Sequence, residues 1–459
     1  MGGYVETRQV FRVDRATEHE LNLQRMQLEA RSWLSDQLSF ELVTSLQNGG
    51  PATRSTRGGF YDIDNVFQSV APVVEVDEAS VRLDVDSFEF RVGQIKHAWG
   101  KLDRNQPNDE LNPERYSDPF LLDERDRKIG VPSVEATFHL PERTWLPEEG
   151  SFTVVVVPRF VPFRLPQPGE RWFPPNATPP ASLPVQEDGE TVDVPLSLEA
   201  RNIPPPAFTW ENASYAARMA AHSRGVDYAL YYYHGIQTAP VFRLDARANT
   251  SSLPPFVTGT TILSPVFQPI QTWGGDVAFT LGRFGVRAEA AFTHDRAFSR
   301  DLRTLLDDPA LDDAVRLALD ELMAGASTAA VDLGDTFSVS DSVQWGIGVD
   351  AEVLDVEGLF EVSQTNVLDN ELPLLIENNE TVLLANLRRR FLRDDLSCEM
   401  LTLYGASSDY TVVMPHLTYR LYDRVEIRVG YLHIAGRAGS RLGQYKRNDE
   451  GFVRLRLHL

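Results

Sequence analysis

The chain of 459 residues has a single cysteine, Cys398, which excludes an internal disulfide and every CxxC-type metal or haem site. It also lacks an apolar run of the roughly 20 residues that a membrane-crossing helix needs. Its mean hydropathy is slightly negative, −0.26. A helical membrane protein is therefore excluded, whereas a β-barrel is not, because only every second residue of a barrel strand has to meet lipid. No basic and apolar leader precedes Met1-Gly-Gly-Tyr4, so an exported chain would have lost its signal or would carry it upstream. Histidines number nine and lie scattered, with no pair at a usual metal-ligand spacing and no nucleophile elbow. The net charge of −22 argues against a nucleic-acid partner.

What the chain does have is alternation. In the last ten residues Val453, Leu455, Leu457 and Leu459 fall on one face of a strand, and Arg454, Arg456 and His458 on the other. The same period recurs in Leu38, Phe40, Leu42 and Leu46 against Ser39, Glu41, Ser45 and Gln47, and in Phe284 to Phe292 against Arg287 and Glu289. Eighteen such segments can be delimited: 3–13, 20–32, 37–47, 79–85, 88–98, 132–140, 151–160, 212–222, 226–236, 271–281, 284–294, 342–352, 357–366, 380–392, 396–404, 410–421, 424–434 and 450–459. Tight links such as Asp86-Ser87 and Gly282-Arg283 alternate with long ones. Short turns at one rim and long loops at the other, with an even strand count, predict an all-β, transmembrane, antiparallel up-and-down barrel. Sixteen strands is the alternative count. Length alone suggests about three domains, yet no linker divides the chain, so 1–459 reads as one domain. Segments 20–32 and 396–404 lose the alternation midway, which predicts bulges there.

Three loops stand out. Residues 161–211 hold Pro162, Pro166, Pro174, Pro175 and Pro204 to Pro206 with Trp172 and Trp210, so they read as an external loop unable to form ladder strands. Residues 295–341 form another external loop, with Leu311, Val315, Ala318, Leu319 and Leu322 at helical spacing. The third, 99–130, is dense in charge.

The stretch from Phe88 to Trp99-Gly100, then Leu111-Asn-Pro-Glu-Arg-Tyr116 and Pro132 to Phe138, resembles a family of porin-like barrels from the outer membrane of Gram-negative bacteria, of unassigned function. Asn212 to Gly235 is similar to that family's middle hairpin, and Gly443 to Glu450 to its ending. Two departures are plain: Leu459 stands where such barrels end in an aromatic residue, and the exported leader is absent. The resemblance implies an outer-membrane location, with lipid and lipopolysaccharide outside and a small solute inside. It also implies that loop 99–130 folds inward as a constriction, which would place Lys101, Asp103, Arg104, Asp109, Glu110 and Arg115 in the lumen.

Parity places Arg8, Arg91, Arg388, Arg390, Arg420, Arg428, Arg454 and Arg456 on the polar face, where they would line a pore and favour anions. The plainer alternative is that these arginines pair with Glu6, Glu399 and Glu426 as cross-strand ladders. His294 with Asp295, and His416 with Ser408, are the nearest approaches to a catalytic arrangement, too isolated to suggest an enzyme. Tyr231 to Tyr233, Trp273, Phe292, Trp345, Tyr404, Tyr419 and Tyr431 read as aromatic girdle residues. The expected function is a porin or passive channel for small solutes, anionic ones as one option, without catalysis, cofactor or metal. The alternatives are a specific channel for hydrophobic or aromatic compounds, a polymer exporter, or a soluble secreted carbohydrate-binding protein. Solute and oligomeric state are not legible.

Overall fold

A computed structural model describes residues 2–13, 19–49, 73–116, 119–141, 147–166, 170–178, 180–187, 190–201, 206–250, 257–301, 304–305, 308–422 and 424–459. Each of the eighteen alternating segments forms a strand of one closed antiparallel sheet. The first part of the wall is β1 (Gly2–Arg12), β2 (His19–Trp33), β3 (Leu38–Asn48), β4 (Val73–Val85), β5 (Phe88–Ile95), β6 (Val131–His139) and β7 (Glu149–Val157). Between β5 and β6 lies a single helical turn, α1 (Glu124–Arg127). The chain then leaves the wall as β8 (Ser182–Glu187) and β9 (Glu190–Ala200), and rejoins it with β10 (Ser214–Ser223) and β11 (Val226–Ile236). It leaves again as β12 (Val241–Thr250) and β13 (Val257–Val266), and returns as β14 (Pro269–Leu281) and β15 (Phe284–Ser299). After helix α2 (Pro309–Met323) and β16 (Thr328–Val331) come β17 (Phe337–Val353), β18 (Val356–Val367), β19 (Asn379–Phe391), β20 (Leu396–Gly405), β21 (Tyr410–Leu421), β22 (Val425–Gly436) and β23 (Glu450–His458). β1 pairs with both β2 and β23, Glu6 facing Arg456 and Arg8 facing Arg454, so the wall has no free edge.

The side chains are distributed inside out. Val5, Met26, Leu28, Val81, Phe90, Val92, Leu230, Ile347, Phe360, Leu417, Val429 and Leu455 are exposed, while Glu6, Arg8, Arg25, Glu75, Asp77, Glu289, Glu361 and Arg454 on the alternate positions are buried. A continuous apolar exterior around a charged interior would aggregate in water, and it matches a bilayer that solvates the outside. The fold is a membrane-spanning barrel. The soluble carbohydrate-binding reading fails on this distribution.

The turns at one rim are tight because their residues accept left-handed backbone. Asp86 (φ 51°), the Arg224-Gly225 pair (52° and 75°) and Leu354-Asp355 (53° and 59°) reverse the chain in hairpins whose twist suits the strands. Three features depart from the sequence reading. First, β2 shifts register at its start and not midway, Val10 and Phe11 facing Leu21 and His19 with Glu20 as the extra residue. Further shifts lie at Val43/Thr44 and Thr293/Arg296, whereas β20 pairs with both neighbours without a break. What looked like a bulge in β20 is a pair of inward leucines, Leu401 and Leu403, buried in an apolar cluster inside the barrel with Phe120, Leu121 and Trp172. Second, loop 161–211 does form strands. β8, β9, β13, β12 and β16 make a five-stranded sheet outside the wall, with β9 and β13 parallel. Pro184 sits on its edge strand, and Pro195 lies one residue before the parallel pairing starts at Leu196, so neither removes a needed donor. Third, loop 295–341 shrinks to 300–336, because β15 runs on to Ser299 and β17 starts at Phe337. Helix α2, capped by the Asp308 side chain accepting from the Ala310 N–H, packs its Ala318 and Leu322 on Ala248 and Ala329 of the outer sheet.

Candidate functional site: a lumen crossed by residues 96–130

The segment between β5 and β6 is pinned at its base by one side chain. Asn112 accepts the His97 N–H (2.7 Å) and donates to the carbonyls of Ile95 (3.3 Å) and Ile129 (2.7 Å), joining both stems. From there the chain reaches across to β15, where Glu289 accepts the backbone N–H groups of Lys101 (2.8 Å), Leu102 (3.2 Å) and Asn108 (2.8 Å). The Asp103 N–H donates to Glu361 on β18 (3.1 Å), and the Asp103 carboxylate meets Arg287 (3.1 Å). Leu102 lies over Gly346 on β17, where an added Cβ would stand 2.6 Å from the leucine Cδ1 and oblige that side chain to shift.

The return half is tied to the other side of the ring. Arg115 donates to Glu75 (2.6 Å) and Asp77 (3.0 Å) on β4, and Arg164 shares Glu75 (2.6 Å). Asp123 receives Arg454 (3.1 Å), Arg456 (3.0 Å) and Arg428 (3.6 Å) from β23 and β22. Asp126 meets Arg25 on β2 (3.1 Å). Electrostatics follow from these partners. Burial disfavours the ionised form of Asp123, but the guanidinium groups of Arg454, Arg456 and Arg428 prevail and hold it well below the usual carboxylate range. Burial pushes Asp109 up to about 7 against its contact with Lys128.

Between this segment and the wall from β18 to β23 a cavity of about 280 Å³ remains. Arg8, Arg104, Arg127, Arg428 and Arg454 line it with Asp103, Asp123 and Glu399, and Leu384, Leu401, Met414 and Phe452 supply an apolar side. It shares Leu359 and Asn386 with a wider vestibule of about 1100 Å³ toward the short-turn rim, lined by Arg283, Arg287, Asp350, Glu357 and Arg388.

Of the residues expected in the lumen, Arg8, Asp103, Arg104, Arg428 and Arg454 meet at the smaller cavity, and Arg388 at the vestibule. Arg456 lies one step away, bonded to Glu6 (2.7 Å) and over the Tyr4 ring. Lys101 approaches Asp227 (3.9 Å), and Glu110 pairs with Arg296. Arg91 faces Glu135 (3.6 Å) elsewhere in the wall. Arg390, paired with Glu357 (3.0 Å), and the exposed Arg420 sit at the short-turn rim, and Asp109 and Arg115 are buried in the loop's own anchors. The cross-strand pairing of the arginines is thus met as well: Arg456 contacts Glu6 (2.7 Å), Arg388 Glu399 (3.8 Å) and Arg454 Glu426 (2.7 Å), while Arg8 meets Glu6 along its own strand (3.0 Å). Asp123, Arg127 and the apolar side were not singled out from sequence, and His416 was weighed there only beside Ser408. The signal of Asp123 and Arg127 was weak, since a charge run in a loop ordinarily reads as solvated.

Two aromatic assignments change. Tyr231 and Tyr233 alternate with Tyr232 and so cannot share its face: both are buried inward, donating to Asp276 and to the Ile236 carbonyl (3.0 Å), while Tyr232 stacks outside with Trp273 and Phe292. Ser408 and His416 do not meet, as Ser408 bonds Glu380 and His416 faces Glu399 (3.5 Å). His294 is clamped by Asp341 (2.7 Å) on one ring nitrogen and Asp295 (3.3 Å) on the other. Among the described residues this trio is the one grouping with metal-ligand proximity, and both its imidazole nitrogens are already engaged by carboxylates.

No protein-family model matches the chain, and no curated protein does. Solved structures similar along its whole length are outer-membrane channels. Pseudomonas aeruginosa OpdK with vanillate has 9% identity and a TM-score of 0.48, covering 100% of this chain and 97% of that one. Pseudomonas aeruginosa OccK8 (OprE) has 10% identity and a TM-score of 0.46 over 100% and 97%. Salmonella typhi OmpF in complex with daunomycin has 7% identity and a TM-score of 0.39 over 100% and 96%.

Proposed function

We propose that this chain is an outer-membrane porin, a passive channel for small anionic solutes that works without a catalytic step. One observation carries the reading. The lumen is narrowed by a charged segment bonded to opposite walls, and the opening left beside it is lined by five arginines against three carboxylates, a formal excess of positive charge. Fixed charge beside a permeating ion sets its local concentration, while the carboxylates responsible for the net −22 lie largely elsewhere. Asp103, Arg104, Asp123 and Arg127 form the loop side of the opening, and Arg8, Arg428 and Arg454 the wall side. Lipid and lipopolysaccharide surround the apolar exterior, with the aromatic set of Tyr232, Trp273 and Phe292 at the headgroup level. Purified protein in planar bilayers should give stepwise conductance with a reversal potential displaced toward that of the anion. Absence of conductance from folded protein would sink the channel reading, and a cation preference would sink the anionic one.

A further inference from the structure

Outside the barrel, between helix α2 and the five-stranded sheet, lies a second cavity, of about 90 Å³. Leu311, Val315 and Leu319, four residues apart on the helix, form one side, and Leu183, Leu196 and Leu244 of the sheet the other. Arg247, exposed, is the one charged residue among the described residues that line it. Spaces walled mainly by aliphatic side chains favour apolar guests, as the uptake of benzene by apolar cavities of about 150 Å³ shows. Among the polar groups of this lining two are left without a partner. Thr261 and Asn176 are 5% and 7% exposed, and the threonine Oγ1 and asparagine Nδ2 are buried without a hydrogen-bond partner. A buried donor left unsatisfied costs about 1–3 kcal/mol.

We infer that this cavity in the external cap is a binding site for a compact, uncharged, largely apolar molecule bearing one oxygen, of the phenol, alcohol or ketone class. Its body fills the space between the leucines, and its oxygen accepts from Asn176 Nδ2 and pairs with the Thr261 hydroxyl. Ammonium ions are excluded, since no carboxylate lines the space to offset their desolvation. The site is separate from the arginine-lined opening and does not depend on the channel reading.

The test uses the whole chain in lipid nanodiscs, with 4-methylphenol and toluene as probes, read by saturation-transfer NMR against empty nanodiscs. Wild type should bind 4-methylphenol saturably, one per chain, and more tightly than toluene. Thr261→Val keeps the shape and removes the hydroxyl, so it should weaken 4-methylphenol about fivefold, the worth of roughly one hydrogen bond, and leave toluene unchanged. Leu319→Trp, with Val315→Phe as a milder filling, should abolish both. Wild-type signals no stronger than those of empty nanodiscs, or equal saturable binding in both filled variants, would overturn the inference.

Discussion

Replacing Arg428 by glutamine tests the selectivity of the opening most directly. Its side chain is 24% exposed toward the cavity, with its nearest carboxylates at 3.6 Å (Asp123) and 3.7 Å (Glu426). Arg454 is the poorer target: it is 3% exposed and bonded to Glu426, Asp123 and Glu6, so removing it would strand buried carboxylates and disturb the wall itself. An anion passing about 5 Å from the Arg428 charge in a water-like medium gains about 0.8 kcal/mol, a factor of about four in local concentration. Glutamine removes that attraction and also leaves Asp123 and Glu426 less neutralised, so both effects move the channel toward cations. The same charge repels a cation equally, and screening over about 10 Å near 0.1 M cuts each energy to about 0.5 kcal/mol. Arg428→Gln should therefore lower the anion-to-cation permeability ratio about fivefold in a salt gradient near 0.1 M, and hardly at all near 1 M, where screening acts over about 3 Å. Arg428→Lys should keep the wild-type value. An unaltered reversal potential in Arg428→Gln at low salt, from protein that conducts, would show that ions do not pass beside Arg428.

Removing residues 105–118 should raise single-channel conductance, and an unchanged value in folded protein would put the segment outside the ion path. Ile347→Arg, at an exposed apolar position of β17, should cost about 2–4 kcal/mol in denaturant titration in micelles. Ala278→Arg, facing the vestibule beside Asp227, should cost much less, and equal costs would refute the assignment of faces. Because Asp109 is raised to about 7 in the docked loop, where Lys128, Glu110 and Glu114 act on it, the free carboxyl ionises at lower pH than the docked one. The contribution of Asp109 to docking is thus fully present below about pH 4 and is lost as pH rises through 7. Proteolytic nicking of residues 99–130 should increase over that range in wild type and stay flat in Asp109→Asn.

The barrel was legible because its code is local. A period of two, repeated between turn residues such as Asp86 and Gly282, fixes strand, face and count without knowledge of the partner strand. The parts that escaped depend on partners far away in the chain. Glu289 reads as one more lumen carboxylate until the backbone of residues 101–108 arrives to use it. Leu401 and Leu403 broke the expected pattern because Phe120, Leu121 and Trp172 cover them, so part of the wall behaves as a core instead of a wetted surface. The outer sheet joins β9 to β13 in parallel across more than fifty residues, a pairing no alternation announces. The tyrosine run failed for a simpler reason, since three consecutive residues of a strand never share a face.

The bonds of Asp123 to Arg454 and Arg456 join residues 331 and 333 positions apart. Those arginines belong to the last strand, whose pairing with β1 closes the ring. While the carboxyl end is still unpaired, Asp123 has only Arg428 of its three partners on a strand already in place. The Asp123 anchor is therefore completed late, slow in the way that contacts between distant parts of a chain are slow, whereas the anchors on β2, β4, β15 and β18 do not involve the last strand. The final grip on the crossing segment comes into being with the closure of the wall.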